Sequence, residues 1–442
     1  MSTFVIALIL FAITYVLLFS LPKYRHWIAF GSAVIFSLWL GLLAKDVEFT
    51  FKDVIGAIDF NVLMMIAGTM GIVVLFIESK MPMLIADVML SKFKNVKSAI
   101  VAMAVLAGVV SAFVDNVATV LMIAPIALAV CKKQNMSPVY PIIAIAVSSN
   151  LQGAATLVGD TTSILLGGYA DMNFFDFFFM NGKPSIFWAV EIGAFLTALI
   201  LLYLFRKETT PLELTERTKV EDYVPSFLMG GVIVLLILAS FLPTPAAGSS
   251  LETLYNLRNG IICIVLLVVG LIIHGVQNKK LDMTKKVVKE MDYQTLLLLA
   301  SLFVVIQGIT SAGVIDKLAE ALVTLGGSNL FLMYTIIVFA SVLISAFVDN
   351  IPYVLTMLPV VTGVAASMGT DPTVLYFGLL VGATLGGNIT PIGASANITG
   401  IGILRKNGYE VKAKDFMKIS VPFTLTAVLS GYLIIWLFWG IL

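Results

Sequence analysis

The stretch Ser111-Ala112-Phe113-Val114-Asp115-Asn116 places a carboxylate and an amide inside an apolar segment, and it returns letter for letter as Ser345-Ala346-Phe347-Val348-Asp349-Asn350. A charged side chain at bilayer depth costs roughly 2.5–3.5 kcal/mol on insertion scales, so intramembrane acids are rare and usually functional. The match continues outward. Residues 111–125 and 345–359 agree at nine of fifteen positions without a gap. The same offset of 234 carries Gly153, Thr156, Gly159 and Ile164 onto Gly387, Thr390, Gly393 and Ile398. Upstream, Asp59-Phe60-Asn61 is echoed by Asp292-Tyr293-Gln294. Membrane composition alone would give about one or two matches in fifteen, so the chain carries an internal duplication.

The chain has 442 residues, 60% hydrophobic and 12% charged. A soluble domain would carry about a quarter charged residues. Apolar spans fall near 3–20, 27–44, 60–77, 138–170, 185–205, 226–242, 259–276, 293–311, 373–404 and 420–441. The first has no basic residue before it and no small-residue cleavage pattern after it, so it reads as a retained helix rather than a signal peptide. Two further stretches, 98–131 and 329–367, are too long for a single crossing of about 20 residues and are interrupted by the Asp-Asn pair. They read as re-entrant hairpins. The expectation is an all-α polytopic membrane protein with about ten full transmembrane helices, two re-entrant hairpins and two broken helices. Residues 1–205 form a first membrane half, 206–224 a polar cytoplasmic linker, and 225–442 a second membrane half.

Charge distribution tests that scheme. With the N-terminus outside, only Lys45, Lys52, Lys183, Arg258 and Lys317 stay outside, and the other 22 of the 27 cationic residues fall in cytoplasmic loops. That is the positive-inside bias. A full crossing in place of either hairpin would put the following basic loops on the wrong side. The scheme implies a multi-pass protein of the cell (inner) membrane with both termini outside. Five crossings separate equivalent points, so the repeats are inverted, the arrangement of secondary transporters with interrupted helices at mid-membrane.

After each hairpin comes a span broken by small and polar residues: 148–163 (SSNLQGAATLVGDTTS) and 382–397 (GATLGGNITPIGASAN). Glycine inside a helix is unfavourable by about 1 kcal/mol and proline by about 3, so these segments are expected to unwind. Unwound backbone at membrane depth requires cover by protein or a wet cavity. Its carbonyls coordinate cations, and its helix N-termini attract anions. Two similar half-sites follow, expected to face each other across a pseudo-two-fold axis. The first holds Asp115, Asn116, Asn150, Gly153, Thr156, Gly159, Asp160 and Thr161. The second holds Asp349, Asn350, Asn388, Thr390, Gly393, Ser395 and Asn397. Asp115 and Asp349 are the proton-coupling candidates.

Each residue also has a plainer reading. The aspartates can cap the second helix of their hairpins. Asn116 and Asn350 can satisfy hairpin backbone, and Thr156 and Thr390 can bond back to helical carbonyls. The glycines are best read as backbone permits. Asp160 has no acidic counterpart, since Ala394 stands there, so it marks either asymmetry or a helix cap. Glu191 can face a cavity or the interface, with the interface preferred, and His274 reads as interfacial. Cys131 and Cys263 read as buried small hydrophobes with no disulfide or metal spacing. No Walker loop or paired histidines suggest an enzyme or a cofactor. The energy source is then an ion gradient, H+ or Na+, or a separate ATPase subunit.

On these motifs, SAFVDN…P with GAATLVGD and SAFVDN-IP…MLP with GGNITPIGASAN, the chain resembles the ion transporter superfamily from about residue 25 to the end. It is most similar to ArsB-type arsenite permeases and the melanocyte P protein, with NhaD-type sodium/proton antiporters and divalent-anion/sodium symporters as cousins. The resemblance implies a homodimer in lipid whose hairpins and broken helices move as an elevator. It departs from the symporters at the hairpin tips, which read Asp115-Asn116-Val117 and Asp349-Asn350-Ile351 instead of Ser-Asn-Thr. A fixed carboxylate repels a dianion unless protonated or paired. It departs from the P protein at Gly159-Asp160-Thr161-Thr162-Ser163, where that protein has a Gly-Asp-Pro-Pro-Asn-like stretch. Three activities therefore stand: proton-coupled efflux of arsenite or antimonite, sodium/proton antiport, and sodium-coupled anion transport, the last disfavoured by the tips.

Overall fold

The computed structural model describes residues 2–44, 47, 49–211, 218–220, 222–246, 248–249, 251–278 and 282–441. Lys45, Arg217, Lys279 and Lys280, and the middle of the 206–224 linker, lie outside the described residues.

Among the described residues the regular structure is helical, apart from one short hairpin of two-residue strands, Phe179–Met180 and Lys183–Pro184, and an isolated bridge between Asn95 and Pro211. The first half runs α1 (Thr3–Ser20), α2 (Arg25–Leu42), α3 (Phe51–Ala57), α4 (Phe60–Glu78), α5 (Met81–Leu90), α6 (Val96–Ser111), α7 (Asn116–Lys133), α8 (Val139–Gly153), α9 (Thr161–Tyr169) and α10 (Ile186–Leu204). The second runs α11 (Val224–Ala239), α12 (Glu252–Asn256), α13 (Arg258–Asn278), α14 (Asp282–Glu290), α15 (Tyr293–Ser311), α16 (Val314–Gly326), α17 (Leu330–Ser345), α18 (Asn350–Met368), α19 (Thr373–Gly386), α20 (Ser395–Lys406) and α21 (Ala413–Ile435). Apart from the short α12, each half gives the same sequence of helices.

Matching caps start matching helices. Asp59 accepts from the Val62 amide at the head of α4, and Asp292 from the Thr295 amide at the head of α15. Asn95 accepts from Ser98 at α6, and Asn329 from Leu332 at α17. Each cap is worth about 1 kcal/mol and fixes where its helix begins. The duplicated Asp and Asn positions are thus duplicated helix starts.

Among the described residues, nine helices are long and apolar enough to cross a membrane. Those nine include α7 and α18, the second arms of the helix–tip–helix units α6–α7 and α17–α18. The broken pairs α8–α9 and α19–α20 escape a length test because each piece is short. Five short helices, α3, α5, α12, α14 and α16, have no counterpart in the sequence reading, because a search for spans of about 20 residues passes over them. The α16 helix meets α17 at 116°.

The halves exchange partners. The α4 helix packs on α13 of the second half, and α15 packs on α2 of the first. Glycine permits the α4–α13 approach: a Cβ on Gly68 would lie 2.5 Å from the Cys263 backbone. Cys131 and Cys263 are both buried and free. The broken helices interlock in the same reciprocal way, α8 on α20 and α9 on α19, while the last helices α10 and α21 pair directly. The described ends of the linker are docked: the amides of Val96 and Lys97 donate to the Thr210 and Glu208 carbonyls, and Thr218 bonds to Asp87 of α5.

Candidate functional site

Both tip aspartates cap their helices. Asp115 Oδ1 accepts from the amides of Val117 (3.0 Å) and Ala118 (3.2 Å), and Asp349 Oδ1 from Ile351 (3.1 Å). Capping engages one oxygen of each carboxylate, and the two second oxygens differ. Arg25, the first residue of α2, donates through Nη1 to Asp349 Oδ2 at 2.6 Å. Among the described residues no lysine or arginine pairs with Asp115 or Asp160.

The tips are tied to the unwound segments by equivalent bonds. The Thr156 hydroxyl donates to the Ala112 carbonyl, and the Thr390 hydroxyl to the Ala346 carbonyl. Gly159 and Gly393 lie so close to backbone that only glycine fits. A Cβ on Gly159 would stand 2.6 Å from the Gly153 oxygen and 2.8 Å from the Ser111 oxygen; on Gly393 it would stand 2.6 Å from the Gly387 oxygen and 2.8 Å from the Ala346 oxygen. Contact at 2.6 Å removes the room any side chain needs.

The amides join the halves. Asn116 Nδ2 donates to Asn150 Oδ1 (2.9 Å), and Asn150 Nδ2 donates to the Thr384 carbonyl (2.7 Å). Asn388 Nδ2 donates to the Val147 carbonyl (3.0 Å). Asn397 Nδ2 donates to the carbonyls of Gly387 and Thr390, both at 3.0 Å. These groups meet the demand of buried unwound backbone for partners. They stand behind the site rather than in it.

In front of them lies a cavity of about 710 Å³. It brings together Asp115, Asn116, Asp160 and Thr161 from the first half and Asp349, Asn350 and Ser395 from the second. Asn150, Gly153, Thr156, Gly159, Asn388, Thr390, Gly393 and Asn397 do not line it. A side pocket of about 20 Å³ continues between Asp115, Gly159, Asp160, Thr161 and Thr69. That is room for about one water-sized occupant. Ile66, Met70, Val73, Val158 and Ile164 close its apolar side, and the carboxylate and hydroxyl oxygens on the other side are of the kind hard cations take. Asp160 accepts from the Thr162 hydroxyl (3.0 Å) and makes no side-chain cap to α9, so the cap alternative for this residue gives way to asymmetry.

The cavity is acidic outward as well. Glu78, Glu290 and Asp292 line it. Lys286 of α14 bonds to Glu78 at 2.6 Å and stands 3.8 Å from Glu290. The Glu78 partner holds the Lys286 ammonium above its ordinary lysine range, so this cation stays charged at neutral pH. Sequence reasoning missed Arg25 as a site residue. It counted as a loop cation, and no spacing links position 25 to position 349.

Helix–tip–helix units beside broken helices, repeated and interlocked around one acidic cavity, define a secondary transporter of the ion transporter superfamily. Residues 6–382 match the family model described as CitMHS, citrate transporter, and the chain belongs to that family. It is 30% identical over 332 residues to the 46 kDa membrane protein of Mycobacterium leprae, covering 74% of each chain. It is 26% identical over 455 residues to the P protein of Homo sapiens, covering 86% of this chain and 54% of that one. The crystal structure of the YdaH transporter of Alcanivorax borkumensis superposes with a TM-score of 0.58 at 13% identity, over 94% of this chain and 97% of that one. That last likeness concerns the fold.

Proposed function

We propose that the protein is a proton-coupled secondary transporter in which the first half-site exchanges protons for a cation, the sodium/proton antiport reading. One observation carries it: Asp115 and Asp160 share a pocket with no basic partner among the described residues, while Asp349 is neutralised by Arg25. Two carboxylates without a cation call for protons or a metal ion. Burying both as anions in one small pocket is unfavourable through desolvation and mutual repulsion. A cation that binds there competes directly with protons, and that competition is antiport.

The arsenite or antimonite reading loses support from the same geometry. A neutral hydroxylated solute needs free amides and hydroxyls. The Nδ2 groups of Asn150, Asn388 and Asn397 and the hydroxyls of Thr156 and Thr390 are committed to backbone carbonyls, which leaves Thr161, Asn350 and Ser395 in the cavity wall to meet it. The family description and the 710 Å³ volume favour a second reading, in which a citrate-like anion enters together with a cation. A bare polyanion would meet Asp115, Asp160 and Asp349 with only Arg25 to offset them.

In this reading the α4 C-terminus and α14 mark the cytoplasmic side, so the cavity opens inward, and the helix–tip–helix units with the broken helices travel against α2, α4, α13 and α15 as an elevator. The deciding experiment uses the purified protein in proteoliposomes with a pH gradient and an internal pH dye. Sodium or another cation that dissipates the gradient without added solute supports the first reading. Dissipation only when citrate and a divalent cation are added together supports the second. Dissipation by arsenite with no cation requirement would overturn both.

A further inference from the structure

A further carboxylate in an apolar helix lies away from the cavity just described. Glu191 of α10 lines a separate cavity of about 280 Å³ between α6, α8 and α10, with Ser148, Gln152, Val105, Val109 and Phe195 among its walls. Phe195 is 66% exposed, and Val105 and Val109 are exposed too, so this cavity opens on the bilayer-facing side. Glu191 forms no ion pair among the described residues. Gln152, 5% exposed, presents an Oε1 that has no hydrogen-bond donor.

The repeat shows that this is an addition rather than a by-product of the fold. At the equivalent positions of the second half, Gly386 replaces Gln152 and Val342 replaces Gly108. There α17 closes onto α19: a Cβ on Gly386 would lie 2.6 Å from the Val342 Cα. In the first half the sizes are reversed, and the Gln152 side chain lies over Gly108. The first half therefore packs a side-chain amide where the second packs backbone, and places that amide in a cavity with an acid.

We propose that Glu191 is a proton-binding site, separate from the tip carboxylates, in which the protonated carboxyl donates to Gln152 Oε1. A buried acceptor without a donor is unfavourable, and a carboxyl supplies a donor only when it carries its proton. No other titratable group lines this cavity. On α6 the nearest charge is Lys97 in the first turn. The α8 helix carries no charge. On α21 the charged residues Lys414, Asp415 and Lys418 stand in the first turns, at the far end from Glu191, because Trp439 bonds to the Pro184 carbonyl and Gly193 packs on Ser430. Tyr432 is the remaining titratable group of that stretch, and its hydroxyl is bonded to Thr335. Gln152 is adjacent to Gly153, where α8 breaks, so the proton's presence bears on the unwound segment.

The test uses full-length protein in lipid vesicles and dicyclohexylcarbodiimide, an apolar probe that enters from the bilayer and adds to protonated carboxyls. The acid oxygen bonds to the carbodiimide carbon, the acid proton moves to nitrogen, and rearrangement leaves a stable N-acylurea with nothing lost. Peptide mass spectrometry should find the adduct on Glu191, falling about tenfold per pH unit above its midpoint, while a water-soluble carbodiimide leaves Glu191 unmodified. Gln152→Leu removes the acceptor that favours the protonated form and should move the midpoint to lower pH. No adduct on Glu191, or labelling independent of pH, overturns the site. An unmoved midpoint in Gln152→Leu overturns the pairing. Neither result depends on which solute the tip site carries.

Discussion

Asn150 donates a 2.7 Å hydrogen bond to the carbonyl of Thr384, the residue that occupies its own position in the other repeat. Two residues that are equivalent by duplication and also in contact lie on the axis relating the copies. The Thr162 and Thr384 hydroxyls meet 2.9 Å apart at the same place. The two half-sites are joined here, and the difference between asparagine and threonine lets one residue serve the other.

Asn150→Leu should therefore separate the halves rather than empty the cavity. It leaves the Thr384 carbonyl and the Asn116 amide without their partner, a loss of about 1–3 kcal/mol for a buried group. Thermal unfolding of the detergent-purified protein should show a clear fall. Thr399→Ala, which removes a bond within α20 only, should barely move it.

Gly159→Ala and Gly393→Ala should fail to give folded protein, since the new methyl meets carbonyl oxygens at 2.6 Å in both copies. Gly402→Ala in α20 is the control. Its Cβ meets nothing within 4 Å, and alanine gains about 0.4–1 kcal/mol from reduced freedom of the unfolded chain. Size-exclusion profiles and unfolding midpoints distinguish the two classes. Equal behaviour of all three would show that the tip-to-segment approach is looser than described.

Lys286 and Glu78 test the cavity mouth. The pair is more than a third exposed on both sides, so Lys286→Ala should change stability by less than about 0.5 kcal/mol. The lysine is held above its ordinary range by Glu78. Its contribution is therefore fully present below the unfolded lysine value and is lost only as pH rises through the higher folded one. Unfolding midpoints of wild type and Lys286→Ala should differ by a constant small amount from neutral to mildly alkaline pH, where the carboxylate partners stay ionised. A difference that appears near neutrality would contradict this assignment.

Much of this was legible in the sequence, for a physical reason. Asp115 and Asp349 stood out because a charge in an apolar run is unfavourable, and the repeat stood out because Gly159 and Gly393 tolerate no other residue. Partnership was not legible. Asn388 and Asn397 read as ligands because amides suit both solutes and backbone, and only geometry shows that they bond carbonyls. The short α14 was hidden because an amphipathic helix of nine residues leaves no span-length signal. Arg25 was hidden because its partner is 324 residues away.

That arginine makes the two tips unequal, and the inequality can be measured. In the proposed mechanism Asp115→Asn and Asp160→Asn remove groups that exchange protons with a cation. Each should reduce cation-driven dissipation of a pH gradient by about 5- to 150-fold, the range of a coupling free energy of 1–3 kcal/mol. Asp349→Asn acts differently, because it strands the Arg25 guanidinium, which is 23% exposed in its pair. Breaking a partly buried pair from one side leaves an uncompensated charge, whereas removing both partners does not. Asp349→Asn alone should be defective in stability and transport, and Arg25→Gln with Asp349→Asn should recover most of both. The same rescue should fail for Asp115→Asn combined with Arg25→Gln. Were Asp349→Asn to lose pH coupling while the double variant stayed equally inactive, the second tip would be a proton carrier in its own right and the two half-sites would be functionally alike.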